Sequence, residues 1–339
     1  MTSTVRRLLP WAAVPASMAV GAAATAAVGA AAVGAVSVAA RRRRRWTDPA
    51  GPRKLALPGG VGDVVRTDDG AELALHLAGP ADGPLVVLVH CWTGNKELWA
   101  PVGRRLVQLG HRVVLYDQRG HGSSTFGAGL DCVYRLGDDL AAVLSHLDAR
   151  DVVVAGHSMG GMSIQAYVGG HRADAGERLA GAVLVATAAR TLGRALPAVL
   201  AERTLGDLGF GWVRTGRPGA LVARGSLGRR AVRDHAHVVR DALAATPGDV
   251  RVRCLLAMAE MDLRPGLGGL DIPATILVGT RDLLTPVRSA RSLERAWPQA
   301  ALRVLPGAGH MLPLERPDDI VEAVLRATAT QPERGVLRT

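Results

Sequence analysis

A chain of 339 residues, 48% of them hydrophobic, is long enough to bury a large core, and α/β folds often reach this size as one unit. The net charge of +11 invites a nucleic-acid reading, but residues 1–54 carry a net of +8 and the remainder is close to neutral. Aromatic residues at 3% are too few for a base-stacking platform and no nucleic-acid-binding motif is present, so a nucleic-acid partner is not expected.

The N-terminal part, residues 1–45, reads as a separate object. Leu8 to Ala40 carries no charge, and Arg41 to Arg45 ends it abruptly. About 20 apolar residues cross a bilayer as a helix, and the best window is Ala16 to Ala40, after the interruptions of Pro10 and Pro15. Basic residues beside an apolar stretch point to a membrane surface. The expectation is a retained membrane helix. One alternative is a cleaved export signal, with Arg6 and Arg7 as a twin-arginine start and Ser37-Val38-Ala39 as a small-residue cleavage site. Another is a leader without a membrane role. Arg41 to Arg45 outweigh Arg6 and Arg7, so an anchor would leave the following domain on the cytoplasmic side of the cell membrane. Cys91, Cys132 and Cys254 are widely spaced, lack a C-x-x-C pairing and fit a reducing compartment.

Residues 46–60, with Pro49, Pro52 and Pro58, read as a linker. Val61–Arg66 and Glu72–Leu77 flank Thr67-Asp68-Asp69-Gly70, which predicts a hairpin. Strand and helix patterns then alternate: strand Leu85–Val89, helix Glu97–Leu109, strand Arg112–Tyr116, helix Tyr134–Leu147, strand Asp151–Ala155, helix to about Gly169 and strand Ala180–Val185. From about residue 188 to 269 the alternation gives way to an Arg-rich, helical-looking insertion. Strands Ala274–Val278 and Ala301–Leu305 follow. Such alternation predicts an α/β domain over residues 61–328, with a mostly parallel central sheet and helices on both faces. Residues 329–339 form a tail.

The most telling motif is Gly156-His157-Ser158-Met159-Gly160, set between a predicted strand and a predicted helix. A serine on such a tight turn has its hydroxyl lifted above the sheet edge, at a helix N-terminus. A serine hydroxyl is a weak nucleophile and needs a base, itself oriented by a third group. In this arrangement the partners follow in the order Ser, acid, His. Asp282 lies just after strand Ala274–Val278, and His310 just after strand Ala301–Leu305. Each therefore stands beyond the C-terminal end of a predicted parallel strand, where open α/β sheets gather their ligands.

On these motifs, together with His90-Cys91-Trp92-Thr93-Gly94, Asp117 to Ser123, and Glu315 with Pro317, the chain resembles the α/β-hydrolase superfamily, on its serine-nucleophile, esterase- and lipase-like branch. The resemblance implies Ser158 as nucleophile, His310 as general base and acid, and Asp282 as the orienting carboxylate. It implies an oxyanion hole made by the backbone N–H groups of Trp92 and Met159, and a cap covering the site over about residues 188–269. Relatives that open epoxides or remove halogens carry Asp at the nucleophile position, and Ser158 argues against those chemistries. The family usually has glycine where Cys91 stands. A positive φ at that position would strain a cysteine by about 1–2 kcal/mol. A second acid site used by some relatives, after strand Ala180–Val185, holds Ala186, Thr187, Ala188 and Ala189 and no carboxylate. Asp262 precedes its strand and is the weaker acid candidate.

Other residues have simpler readings. His157 is read as a packed structural residue, His90 as a tie for the oxyanion loop, and Asp117 and Arg119 as holding their turn. His121 is placed on a surface turn in preference to the pocket, and His235 and His237 have no assigned role. With no H-E-x-x-H, no zinc-spaced Cys/His cluster and no G-x-x-x-x-G-K, no metal or cofactor is expected. The expected activity is hydrolysis of a small or lipid-like ester through an acyl-enzyme. Alternatives on the same residues are acyl transfer to another acceptor and a cofactor-free perhydrolase or haloperoxidase-like activity. A membrane-tethered, non-catalytic binding module is the alternative of a different class.

Overall fold

Runs such as Leu85–Val89 and Val152–His157 are apolar at nearly every position, and every residue in them is buried. Only a strand covered on both faces tolerates that pattern. In the computed structural model, which describes residues 55–128, 133–190, 206, 223–229 and 231–329, these runs form the centre of an eight-stranded sheet. The strands are β1 (Gly60–Arg66), β2 (Glu72–Ala78), β3 (Leu85–Val89), β4 (Arg112–Tyr116), β5 (Val152–His157), β6 (Leu179–Val185), β7 (Ala274–Gly279) and β8 (Ala300–Leu305). Their spatial order is β1-β2-β4-β3-β5-β6-β7-β8. The β1–β2 hairpin is antiparallel and joins β4 antiparallel, and all later pairings are parallel.

This order places the site. The chain leaves β3 for β4 on one side and returns to β5 on the other, so a crevice opens beyond the C-terminal ends of β3 and β5. Those ends carry His90 to Gly94 and Ser158.

Two core layers follow from the period-two alternation of side chains along a strand. Val87, Val89, Val152 and Val154 face one layer, with Leu140, Val143, Ile164, Tyr167 and Trp297. Val86, Leu88, Val153 and Ala155 face the other, with Val102, Leu106, Ile320 and Val324. Burying each such side chain contributes roughly 1.5–3 kcal/mol. The covering helices are α1 (Ala100–Gln108), α2 (Tyr134–His146), α3 (Met159–Gly170), α4 (Arg172–Arg178), α5 (Arg233–Ala245), α6 (Gly248–Glu260), α7 (Val287–Ala296), the short α8 (Leu312–Glu315) and α9 (Pro317–Ala329).

One expected helix, Glu97–Leu109, is split into a 3₁₀ turn, Lys96–Trp99, and α1. Pro101 has no N–H to give the Glu97 carbonyl, and Ala100 N–H takes that carbonyl in the tighter pattern instead. The end of the expected linker is docked: Leu55 and Leu57 pack on the core, and Arg104 donates to the Ala56 carbonyl. Leu8 to Ala40, Arg41 to Arg45, Cys132 and residues 330–339 lie outside the described residues. Among the described residues no helix is long and apolar enough to cross a membrane.

The helical insertion leaves and rejoins the sheet domain at one point. Arg190 bridges Asp262 in antiparallel fashion, and Leu263 N–H donates to the Ala189 carbonyl at 2.8 Å. Within it, α6 lays Val250, Cys254 and Ala257 against Val133, Leu136, Met159 and Met162.

The turn after β4 is held by Arg119, which is fully buried. Its Nε and Nη2 donate to Asp139 of α2 at 2.7 and 2.5 Å, and its Nη1 donates to Asp69 of the hairpin turn at 2.8 Å. A buried two-point pair of this kind is costly to break from one side, because the remaining charge loses both water and partner. Arg119→Met should therefore destabilise the protein by about 3–5 kcal/mol in urea unfolding. Adding Asp139→Leu should recover much of the loss. A single-variant loss below about 1 kcal/mol would show that the pair is not needed.

Candidate active site

The crowding of the turn after β5 is visible in its glycines. A Cβ on Gly156 would lie 2.4 Å from the Gly160 carbonyl oxygen, and one on Gly160 would lie 2.2 Å from that of Val89. Between them Ser158 sits at φ 52, ψ −115, a region that costs a non-glycine residue roughly 1–3 kcal/mol. Three hydrogen bonds hold it there. Ser158 N–H donates to the Val185 carbonyl at 2.9 Å, while its own carbonyl accepts from Thr187 Oγ1 at 2.7 Å and Met162 N–H at 3.1 Å. α3 begins at the next residue, Met159, which is fully buried.

Asp282 and His310 meet beyond β7 and β8. His310 Nδ1 lies 2.9 Å from Asp282 Oδ2. That oxygen also accepts from Thr285 Oγ1 at 2.8 Å, and Oδ1 accepts the N–H groups of Leu284 and Thr285, each at 2.9 Å. Asp282 thus caps its own turn and faces the imidazole at once. Burial works to raise its pKa. The charge of His310, its hydrogen bond and those of Thr285 outweigh burial and hold the carboxyl below the usual value. His310 is suspended by its backbone: its N–H donates to the Ser226 carbonyl at 2.8 Å, and its carbonyl faces His157 Nε2 at 2.8 Å. The two rings lie 4.9 Å apart. Burial first, and the charge of His310 second, push His157 down to about 3, so it stays neutral and packs as expected from sequence.

The loop after β3 is fixed by imidazoles. His90 Nδ1 lies 2.7 Å from the Cys91 carbonyl and Nε2 accepts Gln118 N–H at 2.9 Å, which assigns the Nδ1–H tautomer. Gln118 returns a bond from Nε2 to the His90 carbonyl at 2.6 Å, and its Oε1 accepts from Ser163 Oγ of α3 at 2.6 Å. One buried amide therefore ties the loop bearing Trp92 to the helix bearing Met159. Trp92 Nε1 donates to the Arg251 carbonyl of α6 at 3.1 Å.

Two expectations need correction. His121 is not on a surface turn. It is fully buried, its Nε2 accepts Thr93 N–H at 3.1 Å, and desolvation pushes it down to about 3. The positive φ considered for Cys91 falls on Thr93, at φ 57, so cysteine is not strained where it stands. Asp117 and Arg119 hold the turn as expected, with Asp117 taking Lys96 and Ser123 as donors. Asp262 is paired with Arg264 at 2.5 Å and sits at the neck of the insertion. His235 and His237 lie on α5. Gln118, Ser163, Thr187 and Thr285 were not singled out from sequence. Their one local signal is position: Gln118, Thr187 and Thr285 lie close behind the C-terminal ends of β4, β6 and β7. Among the described residues no group of three or more His, Cys, Asp or Glu side chains could hold a metal ion.

Two predictions follow from this geometry. Cys91 and Cys254 are buried thiols pushed up to about 12 by desolvation, so neither offers thiolate near neutrality. Iodoacetamide at pH 7 should leave the activity of a Cys132→Ser variant unchanged, and its rapid inactivation would assign Cys91 or Cys254 a role absent from this geometry. Asp282 has a lower pKa folded than unfolded. Its contribution to stability is therefore complete above the unfolded value of about 3.9 and is lost as pH falls through the folded one. The stability gap between the native protein and Asp282→Asn, read by urea unfolding, should close as pH is taken below that value. A gap independent of pH would contradict this.

Comparison with known proteins agrees with this geometry. The family model described as alpha/beta hydrolase fold matches residues 84–317. A non-heme chloroperoxidase from Kitasatospora aureofaciens is 30% identical over 268 residues, covering 73% of this chain and 91% of the relative. A 3-oxoadipate enol-lactonase from Acinetobacter baylyi is 27% identical, covering 75% and 94%. The solved structure of a thermophilic esterase from Thermogutta terrifontis matches with TM-score 0.66 at 28% identity, over 80% of this chain and all of that one. With that match over most of its length, and the strand order and strained serine turn described above, the chain belongs to the alpha/beta-hydrolase family and is an enzyme of that class.

Proposed function

We propose that this protein hydrolyses a carboxylic ester, including cyclic esters, through an acyl-enzyme on Ser158. The observation that carries the reading is the pair between His310 Nδ1 and Asp282 Oδ2 at 2.9 Å, in a sheet whose strained Ser158 turn leads straight into α3. With Nδ1 turned to the carboxylate, Nε2 is the nitrogen that exchanges protons. It takes the Ser158 proton as Oγ attacks the carbonyl carbon. The carbonyl electron pair moves onto oxygen, which the backbone N–H groups of Met159 and Trp92 receive. Collapse of this species expels the alcohol, which leaves with the proton from His310. Water, deprotonated by His310, then attacks the acyl carbon and releases the acid and free Ser158. Relatives named as an esterase and an enol-lactonase support the ester and lactone class.

A second reading rests on the relatives named non-heme chloroperoxidase and non-heme haloperoxidase. On the same residues, hydrogen peroxide in place of water would accept the acyl group and yield a peracid. Transfer to another acceptor would follow the same first half-reaction. We also propose that residues 1–45 anchor the enzyme in the cell membrane with the catalytic domain on the cytoplasmic side. The support is the charge-free run Leu8 to Ala40 followed by Arg41 to Arg45. Such placement favours a hydrophobic, lipid-like ester.

A fluorophosphonate probe should label Ser158, and Ser158→Ala should abolish both labelling and turnover of p-nitrophenyl esters. Asp282→Asn should lower kcat by about ten-thousand-fold, and Asp262→Asn should be nearly silent. Persistent labelling of Ser158→Ala would sink the assignment. A p-nitrophenyl series of rising chain length ranks substrates, and adding hydrogen peroxide to the acyl donor tests the second reading through peracid formation. For the anchor, the full chain should sediment with membranes and resist carbonate, and a chain beginning at Gly51 should be soluble and active. A mature soluble form beginning near Ala40 in the medium would make the segment an export signal instead.

A further inference from the structure

The backbone N–H of His310 finds its acceptor in the insertion and not in the sheet domain. It donates to the Ser226 carbonyl at 2.8 Å, and Arg229 N–H donates to the Gly307 carbonyl at 3.0 Å. Segment 226–229 therefore runs antiparallel to the loop 307–310, joined by these main-chain bonds.

The pairing is closed by one side chain. Glu315 Oε2 accepts Gly228 N–H at 2.8 Å and Gly309 N–H at 3.1 Å. A single buried oxygen thus grips the residue before His310 and the facing residue of the insertion. The approach requires glycine on both sides. A Cβ on Gly228 would lie 2.4 Å from Gly309 N, and one on Gly309 would lie 2.3 Å from Gly228 N. Leu227 extends the contact into the apolar cluster of Cys91, Leu98, Met311 and Leu314, which joins the histidine loop to the loop after β3.

These contacts place His310 between two bodies. Its carbonyl is tied to His157 beside the nucleophile, and its N–H to the insertion. The imidazole has the Asp282 carboxylate on Nδ1 at 2.9 Å with Thr285 Oγ1 at 3.4 Å beside it, and the loop is tied to the sheet domain at Ala308, whose carbonyl accepts Arg281 N–H at 2.9 Å, while the pairing with segment 226–229 holds its His310 end. We propose that Glu315 and Gly228 are positioning residues that form a clasp between insertion and histidine loop, holding the His310 imidazole at the height Ser158 requires. The insertion then does more than cover substrate: when it shifts, the base shifts with it. The proposal rests on the assignment of Ser158 and His310 as nucleophile and base.

The test compares native protein with Gly228→Ala, Glu315→Ala and Glu315→Gln. Three quantities are read in each: the rate of fluorophosphonate labelling at Ser158, kcat and KM for p-nitrophenyl acetate, and the thermal midpoint. Labelling needs the base but little substrate binding, so it isolates the position of His310. Gly228→Ala and Glu315→Ala should slow labelling and lower kcat together, by roughly a hundredfold for an ångström-scale displacement, with KM little changed. Glu315→Gln keeps an oxygen acceptor and should restore most of the rate. The far-downfield NMR resonance of His310 Nδ1–H should shift in Gly228→Ala and Glu315→Ala and lie near its native position in Glu315→Gln. Folded variants that label at the native rate would overturn the clasp, as would a rise in KM at constant kcat. If Gly228→Ala does not fold, the two Glu315 variants decide alone. Absence of labelling in native protein would instead remove the assignment of Ser158 and leave the clasp without a catalytic purpose.

Discussion

The turn at Ser158 is the constraint around which the other parts are arranged. A serine at φ 52 does not stay there by its own preference. It is held because β6 lies parallel to β5 in a register that sets Val185 beside His157, so that the Val185 carbonyl and the Thr187 hydroxyl reach the Ser158 backbone. That register depends in turn on two buried apolar strands whose side chains fill both core layers. The strain is small beside the burial of β5, where Val152, Val153 and Val154 each contribute roughly 1.5–3 kcal/mol. Local cost and global packing are thus exchanged at one residue, and the exchange sets a hydroxyl at the mouth of the sheet's crevice.

The electrostatics of the site are organised by excluding charge. Four buried histidines surround it, and His90, His121 and His157 are neutralised chiefly by desolvation. Their ring nitrogens meet backbone: His90 the Cys91 carbonyl and Gln118 N–H, His121 the Arg119 carbonyl and Thr93 N–H, and His157, through Nε2, the His310 carbonyl. They act as rigid polar braces in places where an apolar side chain would leave backbone groups unpaired. His310 alone among the four has a carboxylate on Nδ1. A neutral His157 matters for the same reason, since a second positive ring 4.9 Å away would oppose charge on His310.

The sheet domain and the insertion carry different kinds of information. Relatives named as an esterase, an enol-lactonase and a chloroperoxidase match this chain over most of its length, which fits one scaffold carrying several activities. In this chain the insertion meets the site at two side chains of the sheet domain and along a stretch of backbone. Trp92 is bonded to α6, Met159 packs against it, and loop 307–310 is paired with segment 226–229. The insertion and the loop that carries His310 are therefore joined through backbone.

The strand ends, the order of Ser158, Asp282 and His310, and the alternation that builds a parallel sheet were all legible in the sequence. β4 spans the expected Arg112–Tyr116, and β3 the expected Leu85–Val89. Such features are written in short runs: apolar strands buried on both faces, and glycines where a turn leaves no room for a Cβ. What escaped is what depends on partners distant in sequence. Gln118 reaches Ser163 across 45 residues, Trp92 reaches Arg251 across 159, and Glu315 reaches Gly228 across 87. No local pattern marks His121 as buried, or moves the positive φ from Cys91 to Thr93, because both follow from how the loop after β3 is pressed between the β4 turn and α6. The sequence alone determined the fold class and the residues that come to the strand ends. Only the tertiary structure decided which backbone groups those residues must satisfy, because a buried hydrogen bond is settled by the packing that removes its water.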